Sequence, residues 1–327
     1  MMRRNELLFS DEELIDYLYQ GYQIRAVRLY FVNVGSFYGF IVETKENKKY
    51  FLKVYAKDQS LVPIPPTIES LHQTGIALNR FKQEFGMNNL SRMLPDVKEN
   101  YCFTTNRLIL TLFDYIEGIH PSYAPNQLLS DKMAALLFQL HHIPASEFPV
   151  FTRENFNIDY ALGMSGWIEH SIEIIDTTHV PSMFSKLNEN KEQLLDGLTQ
   201  LQQWSEQFSK MSLPFVITHG DPHHYNVLQT PLDVWLIDWD GIKIAPRERD
   251  LWHYLDMPLM KAYSKISPQF TINKGLCEFY RLQRFFEDCC YYLEQVLLGK
   301  NTTAMQSEED KNSFLTHWGW SVCLKNK

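Results

Sequence analysis

In the stretch ITHGDPHHYNVL, Asp221 stands five residues before Asn226, and Asp238 follows seventeen residues after Asp221 at the end of the apolar run VWLI. Two carboxylates and an amide in this order suit transfer of a phosphoryl group to a hydroxyl, a reaction that asks for positioning and charge neutralisation more than covalent work. Asp221 suits the task of orienting the hydroxyl or receiving its proton. Asn226 and Asp238 offer the hard oxygen donors that magnesium takes. Taken singly, HGD and IDWD are equally well explained as polar loops beside core strands. The ordered pair at this spacing points to a phosphate and divalent-metal site.

These side chains need elements to hold them. Residues 215–217 read as a buried strand running into His219-Gly220-Asp221, where glycine permits a tight turn and Pro222 stops the strand. Val227-Leu228 and the run 234–237 read as a hairpin with 229–233 as its turn. Asn226 and Asp238 then fall at the same end of that hairpin.

Upstream, two β-period runs, RAVRLYFVNVG and FYGFIVETKENKKYFLKVY, are joined by Gly35, Ser36, Phe37, Tyr38 and Gly39. Such a turn can offer backbone N–H groups to phosphate, although a plain hairpin turn explains two glycines as well. Lys53 interrupts the otherwise apolar strand Tyr50 to Tyr55. An outward-facing lysine on an amphipathic strand accounts for it in isolation. Before these strands, Ser10 followed by three acids marks a helix start, with Gly21 its expected end. Pro63, Pro65 and Pro66 delay the next helix to about Thr67, placing Glu69 in its first turn. Residues 107–116 form a further apolar strand, closed by Glu117-Gly118.

Length and composition set the frame. A chain of 327 residues, 45% hydrophobic, exceeds one ordinary domain and can bury a sizeable core. The net charge of −8 argues against a nucleic-acid footprint and is compatible with a cationic small substrate. Five scattered cysteines without a C-x-x-C pair fit a reduced, cytoplasmic protein. The start MMRRNELLFSDEEL has only a three-residue apolar run before acids appear, so neither a signal peptide nor a membrane span is expected.

From Ser130 the period is helical, with Met133, Leu136, Leu137, Leu140 and His141 on one face. His141 and His142 lack ligands at metal spacing and read as packed or capping residues. Helices are expected over 159–175, 180–211 and 278–298. In the last of these Phe279, Leu282, Phe286, Cys289 and Leu293 form a core stripe, and Glu287 and Asp288 lie on another face, where solvated charge is the ordinary reading.

HGDPHHYN resembles the loop H-G-D-x-x-x-x-N of the aminoglycoside phosphotransferase family, relatives of choline kinase and the protein kinases. IDWD is similar to that family's metal-binding segment, and APRERDL to its G/A-x-P-x-x-D-L segment. The final helix and IDWDGIKIAPRERDL resemble most the spectinomycin phosphotransferases within the family. The resemblance implies an α+β, bilobal protein-kinase-like fold: a β-rich N-lobe over 1–113, a connector over 114–118 and a mainly helical C-lobe over 119–327.

It also implies roles. Asp221 is the catalytic aspartate, Asn226 and Asp238 hold magnesium, and His219 and Asp250 brace the loop. Lys53 engages the phosphates of ATP beneath the turn Gly35 to Gly39, with Glu69 as its candidate partner. Asp114 and Ile116 meet the adenine through their backbone, and Glu287 and Asp288 become candidate partners for a substrate ammonium. A long helical insertion before HGD and the lack of an APE-type segment favour a small molecule over a protein partner.

The implied activity is ATP- and magnesium-dependent O-phosphorylation of a small, amine-bearing molecule such as an aminoglycoside or an aminocyclitol like spectinomycin. GTP as donor stays open. So do a metabolic kinase for choline, ethanolamine, homoserine or a thiosugar, and a pseudokinase that binds nucleotide without turnover. Pro222, His223, His224 and Tyr225 depart from the smaller residues usual in the loop, and Phe37 and Tyr38 make an unusually aromatic turn.

Overall fold

The computed structural model describes residues 9–33, 37–57, 66–122, 126–171, 180–298 and 304–323. Gly35 and Ser36, expected over the phosphates, lie outside the described residues. The chain forms two compact units, one of Leu7–Arg153 with Pro214–Thr271, the other built from Glu154–Leu213 and the stretch from Ile272 onward. The stretch carrying HGD and IDWD therefore groups with the N-terminal sheet, a division different from one drawn at 114–118. Hydrogen bonds tie it there: Leu236 N–H donates to Asn89 O at 3.0 Å, and Ser91 N–H to Leu236 O at 3.1 Å.

The first unit opens with α1 (Asp11–Tyr22). Ser10 caps it through a reciprocal bond with Glu13, which satisfies two amide groups that the helix start leaves without partners. The helix runs past Gly21 and stops at Gln23, whose φ of 56° turns the chain out of the helix. Gly21 is buried against Phe103, where a Cβ would come within 2.6 Å of the ring. That close approach explains the glycine better than helix termination does.

A sheet follows, built from β1 (Ala26–Asn33), β2 (Tyr38–Thr44), β3 (Lys49–Ala56), β4 (Met93–Leu94), β5 (Phe103–Thr104) and β6 (Leu108–Asp114). Its order is β1-β2-β3-β6-β4, with β5 pairing β6, and these strands pair antiparallel throughout. Strand period 2 sends Leu52 and Val54 to one face, where both are fully buried, and Phe51, Lys53 and Tyr55 to the other. Lys53 lies opposite Gly39 on β2 and Thr111 on β6. α2 (Ile68–Phe85) starts at Thr67, whose side chain and that of Ser70 cap it reciprocally.

α3 (Gln127–His141) begins three residues before Ser130 because Asn126 caps it. β7 (Val216–Thr218) pairs with β10 (Lys243–Ala245), and β8 (Val227–Gln229) pairs with β9 (Val234–Leu236), all antiparallel. The second hairpin is the one that the sequence pattern indicates, and it puts residue 226 and residues 237–238 at one end. There Ile237 N–H donates to Asn226 O at 3.0 Å.

The second unit is helical. In place of one helix over 180–211 there are two, Pro181–Glu189 and Lys191–Ser209, parted at Asn190, whose amide donates to Lys186 O at 2.8 Å and competes with the helical ladder. The 24-residue helix Lys274–Leu297 begins earlier than its apolar stripe suggests, since Asn273 caps it. All five expected stripe residues, Phe279, Leu282, Phe286, Cys289 and Leu293, are buried. Phe156, Phe208 and Phe279 pack edge to face or tilted within 5.8 Å of one another. No helix among the described residues is long and apolar enough to cross a membrane.

Candidate active site

The loop after β7 owes its shape to Gly220. Its φ of +96° is open to glycine, and a Cβ there would sit 2.5 Å from Gly241 O and 2.4 Å from the Arg249 guanidinium. Arg249 fills that space by donating to Gly241 O at 2.9 Å and Thr218 Oγ1 at 3.0 Å. The fully buried Asp250 accepts from the N–H groups of His219 at 2.9 Å and Gly220 at 2.6 Å, and its other neighbour is His141, 3.1 Å away. Burial pushes the Asp250 carboxyl up, but the bonds from His141 and Gly220 outweigh it and hold the group below its ordinary value. His141 is thus a packed histidine, bonded on its other nitrogen to the Tyr263 hydroxyl at 2.7 Å.

His219 is buried with its ring tilted at 58° against that of Trp239, centroids 4.6 Å apart. Its Nδ1 accepts from Asp221 N–H at 3.3 Å, so Nε2 carries the proton and donates to Ile237 O at 3.0 Å. Burial lowers its pKa against the pull of Asp250, Asp238 and Asp221, keeping the ring neutral. One imidazole therefore links the HGD turn to the residue before Asp238. Trp239 is buried too and donates to Leu236 O at 3.2 Å, pinning the segment from within.

Asp238 has a φ of 64°, a left-handed conformation uncommon for a side-chain-bearing residue. That backbone turn goes with a carboxylate directed at Lys53: Oδ1 lies 2.6 Å from Nζ. Asp240 holds the same ammonium at 3.2 Å and accepts from the Tyr55 hydroxyl at 2.7 Å. Lys53 is only 3% exposed, and Phe37 covers it with its ring centroid 4.3 Å from Nζ. Burial alone would depress the Lys53 pKa, but the charges of Asp238 and Asp240 outweigh it and leave the ammonium raised. Asp240 moves up through burial, against the pull of Lys53. Tyr55 moves far up through burial and the nearby carboxylates, so it stays a hydroxyl donor.

Asn226 donates its amide N–H to Asp221 O at 2.8 Å, a use of the N–H end that leaves the amide oxygen as the end able to serve a cation. The two hairpin-end residues thus present an amide oxygen and a carboxylate, a hard donor set that fits magnesium. Asp221 itself lies between two imidazoles. His253 Nε2 is 3.4 Å from Oδ1, and His223 Nε2 is 3.4 Å from Oδ2.

The remaining expected residues are placed as follows. Asp114 ends β6, pairs with Arg92 at 2.7 Å, and donates its N–H to Arg92 O at 3.0 Å. Beyond Ile116, the chain is tied to β8 by two bonds between Ile119 and Gln229, of 3.0 and 2.8 Å. Glu69 accepts from Gln73 at 2.7 Å on the outer turn of α2, so the lysine's carboxylate partners are Asp238 and Asp240 instead. In the second unit Glu287 accepts from Gln283 at 2.8 Å, while Asp288 is engaged by Arg284 at 2.8 Å and His317 at 3.1 Å.

Sequence reasoning missed Asp240, Tyr55 and His253. Each carried a signal. Tyr55 is two residues from Lys53 and so on its strand face, and Asp240 repeats the carboxylate of Asp238 across one buried tryptophan. His253 lies three residues after Asp250, on the same helical face.

The model of the phosphotransferase enzyme family matches residues 35–270. A comparison with curated protein sequences finds no match. Among solved structures the chain is similar to spectinomycin phosphotransferase in complex with ADP and spectinomycin, with a TM-score of 0.73 and 17% identity, covering 94% of each chain. It is similar to amicoumacin kinase in complex with AMP-PNP, with a TM-score of 0.57 and 10% identity over 94% of this chain and 93% of that one. Choline kinase from Streptococcus pneumoniae gives a TM-score of 0.57 at 13% identity over 95% and 98%. Likeness at these identities is one of fold, a kinase-like α+β arrangement with a sheet-rich N-terminal part and a helical C-terminal part.

Proposed function

This chain belongs to the phosphotransferase enzyme family, and from that premise we propose that it moves the γ-phosphoryl group of ATP to a hydroxyl of a small, amine-bearing molecule such as an aminoglycoside or aminocyclitol. The observation that carries this reading is the convergence of Asp221, Asn226, Asp238 and Lys53, with Asn226 bonded to the backbone of Asp221 and Lys53 bonded to Asp238. Solved structures of two similar proteins, spectinomycin phosphotransferase with ADP or AMP and amicoumacin kinase with AMP-PNP, support an adenine nucleotide as donor.

In this reading Asp221 orients the acceptor hydroxyl and takes its proton. The hydroxyl oxygen bonds to phosphorus as the bond from phosphorus to the bridging oxygen breaks, and ADP leaves with the electron pair. Asn226 and Asp238 hold magnesium, which when bound neutralises charge on the phosphate oxygens. Lys53 contributes a fixed positive charge to those phosphates, with Asp240 and Tyr55 retaining it. The N–H of Asp114 is committed to Arg92, so an adenine contact there falls to its carbonyl.

One observation favours a second acceptor class. Asp288 and Glu287, the acids that a substrate ammonium would seek, are engaged by Arg284, His317 and Gln283. A less cationic metabolic alcohol fits that arrangement better than a polyamine does. A radiolabelled phosphate-transfer screen over aminocyclitols, aminoglycosides and small amino alcohols, with ATP and GTP in parallel, tests both. Labelled product from the antibiotic panel supports the first reading and from the amino alcohols alone the second. Magnesium-dependent nucleotide binding without any product makes the chain a nucleotide-binding protein and overturns both.

A further inference from the structure

The short helix Glu248–Leu251 and the turn Trp252–Tyr254 that continues it meet the HGD loop in sequence order. Asp250 takes the N–H groups of His219 and Gly220. His253 meets the carboxylate of Asp221. Tyr254 donates its hydroxyl to Pro222 O. Positions i, i+3 and i+4 of one helical run share a face, so one turn touches four consecutive loop residues. Asp250 and Tyr254 hold backbone. His253 alone of the three reaches the reactive group.

We propose that His253 is a positioning residue for Asp221, fixing the carboxylate through Oδ1 so that Oδ2 is presented to the acceptor hydroxyl. The inference rests on the phosphotransfer reading above. The two carboxylate oxygens have different surroundings. Oδ1 and His253 Nε2 are both shut off from solvent and 3.4 Å apart, and the His253 side chain is 11% exposed. Oδ2 faces His223, whose side chain is 29% exposed. His223 Nδ1 accepts from Tyr225 N–H at 3.2 Å, so its Nε2 carries a proton and serves as a second, solvent-side donor.

An aspartate side chain rotates about two bonds, and its carboxylate can present either oxygen. A proton on the buried Nε2, facing Oδ1, would restrict that freedom, and stacking on Trp252, with centroids 3.8 Å apart, holds the His253 ring in turn. At 3.4 Å the contact is longer than a good hydrogen bond, and such contacts tighten when substrate fills the site. A carboxylate free to turn spends less time aligned with the hydroxyl, and misplacement on this scale costs on the order of 10- to 100-fold in turnover.

Two measurements on the full chain test this. In protein labelled with 15N-histidine, the His253 Nε2 resonance, assigned by its loss in His253→Gln, is expected to be protonated and to move in Asp221→Asn. A resonance that stays in place in Asp221→Asn overturns the contact, whether or not any acceptor is turned over. With the acceptor found in the screen, His253→Leu is expected to lower kcat on the order of 10- to 100-fold with the KM for ATP within about threefold. His253→Gln, which keeps an N–H donor near the same place, is expected to recover most of that loss. Equal rates for the Leu and Gln variants, or a Leu variant at the parent rate, overturn the positioning role. Absence of transfer by the unaltered chain refutes the phosphotransfer reading instead, and the resonance experiment still decides the contact.

Discussion

Lys53 and Asp238 are 185 residues apart in the chain and 2.6 Å apart in the fold. The pair joins the middle strand of the sheet to the end of the β8–β9 hairpin, and Asp240 adds a second carboxylate to the same ammonium at 3.2 Å. Two carboxylates thus share one buried ammonium, and in the proposed reading Asp240 stays with Lys53 when Asp238 turns to magnesium.

That arrangement sets an expectation for Asp240. In the proposed reading Asp240 is what holds Lys53 in place while Asp238 binds magnesium, so replacing it by asparagine should loosen the ammonium and weaken ATP binding about tenfold, a loss of about 1.4 kcal/mol. Calorimetric titration with ATP and magnesium reads this directly. An unchanged dissociation constant removes Asp240 from the proposal.

Tyr55→Phe probes the same anchor from the strand. A hydrogen bond to a charged group contributes about 1.5–3 kcal/mol, and Asp240 is 25% exposed, so a loss of about 1–2 kcal/mol in urea unfolding is expected. A shift below about 0.5 kcal/mol means that the hydroxyl is replaced by solvent at no cost.

Asp221→Asn is expected to abolish transfer while nucleotide binding persists, because in the proposed mechanism the change removes the proton acceptor and leaves Asn226 and Asp238 in place. Single-turnover kinetics beside a nucleotide titration separate the two. Transfer at the parent rate sinks the assignment of Asp221.

Gly220→Ala places a Cβ 2.5 Å from Gly241 O in a left-handed backbone. Neither the carbonyl nor the φ can give cheaply, so a loss of about 2–3 kcal/mol is expected, with activity falling alongside it. A variant as stable as the parent shows that the loop can be rebuilt without the glycine.

Acid should destabilise the fold through its buried histidines. Burial lowers the pKa of His141 and of His219 from the ordinary 6.5. Below that value the unfolded chain binds protons that the folded chain refuses, so stability rises with pH in this window and is lost as pH falls through it. Each histidine contributes up to about 1.4 kcal/mol per pH unit. Asp250, held below 3.8, extends the loss at lower pH, since its stabilisation is present above the unfolded value and lost as pH falls through the folded one. Urea titrations from pH 7.5 to 5 should show the slope, and His141→Gln should reduce it. A flat profile is incompatible with neutral buried imidazoles.

The sequence by itself determined what covalent proximity and secondary-structure period control. His219, Gly220, Asp221 and Asn226 lie within eight residues, and the turn, the stop at Pro222 and the hairpin that follows leave little choice about where they go. The β-period likewise set Lys53 and Tyr55 on one strand face, and the helical period set the buried stripe of residues 279–293. Caps moved helix ends by a few residues where Asn126 and Asn273 compete for free amides.

Pairings across the chain were decided by the tertiary structure alone. Glu69 had a plausible place in a first helical turn, but the face that α2 buries, through Leu71, Leu78 and Phe81, leaves Glu69 exposed beside Gln73. Lys53 found Asp240 because a buried ammonium takes the carboxylates that packing brings within reach. Asp288 was solvated charge in the sequence and is bonded to His317 in the fold, since a helix packs on neighbours that its own period does not name. His253 joined Asp221 for the same reason. Distance along the chain says nothing about contact when the free energy that decides it is the sum of burial and hydrogen bonding over many side chains at once.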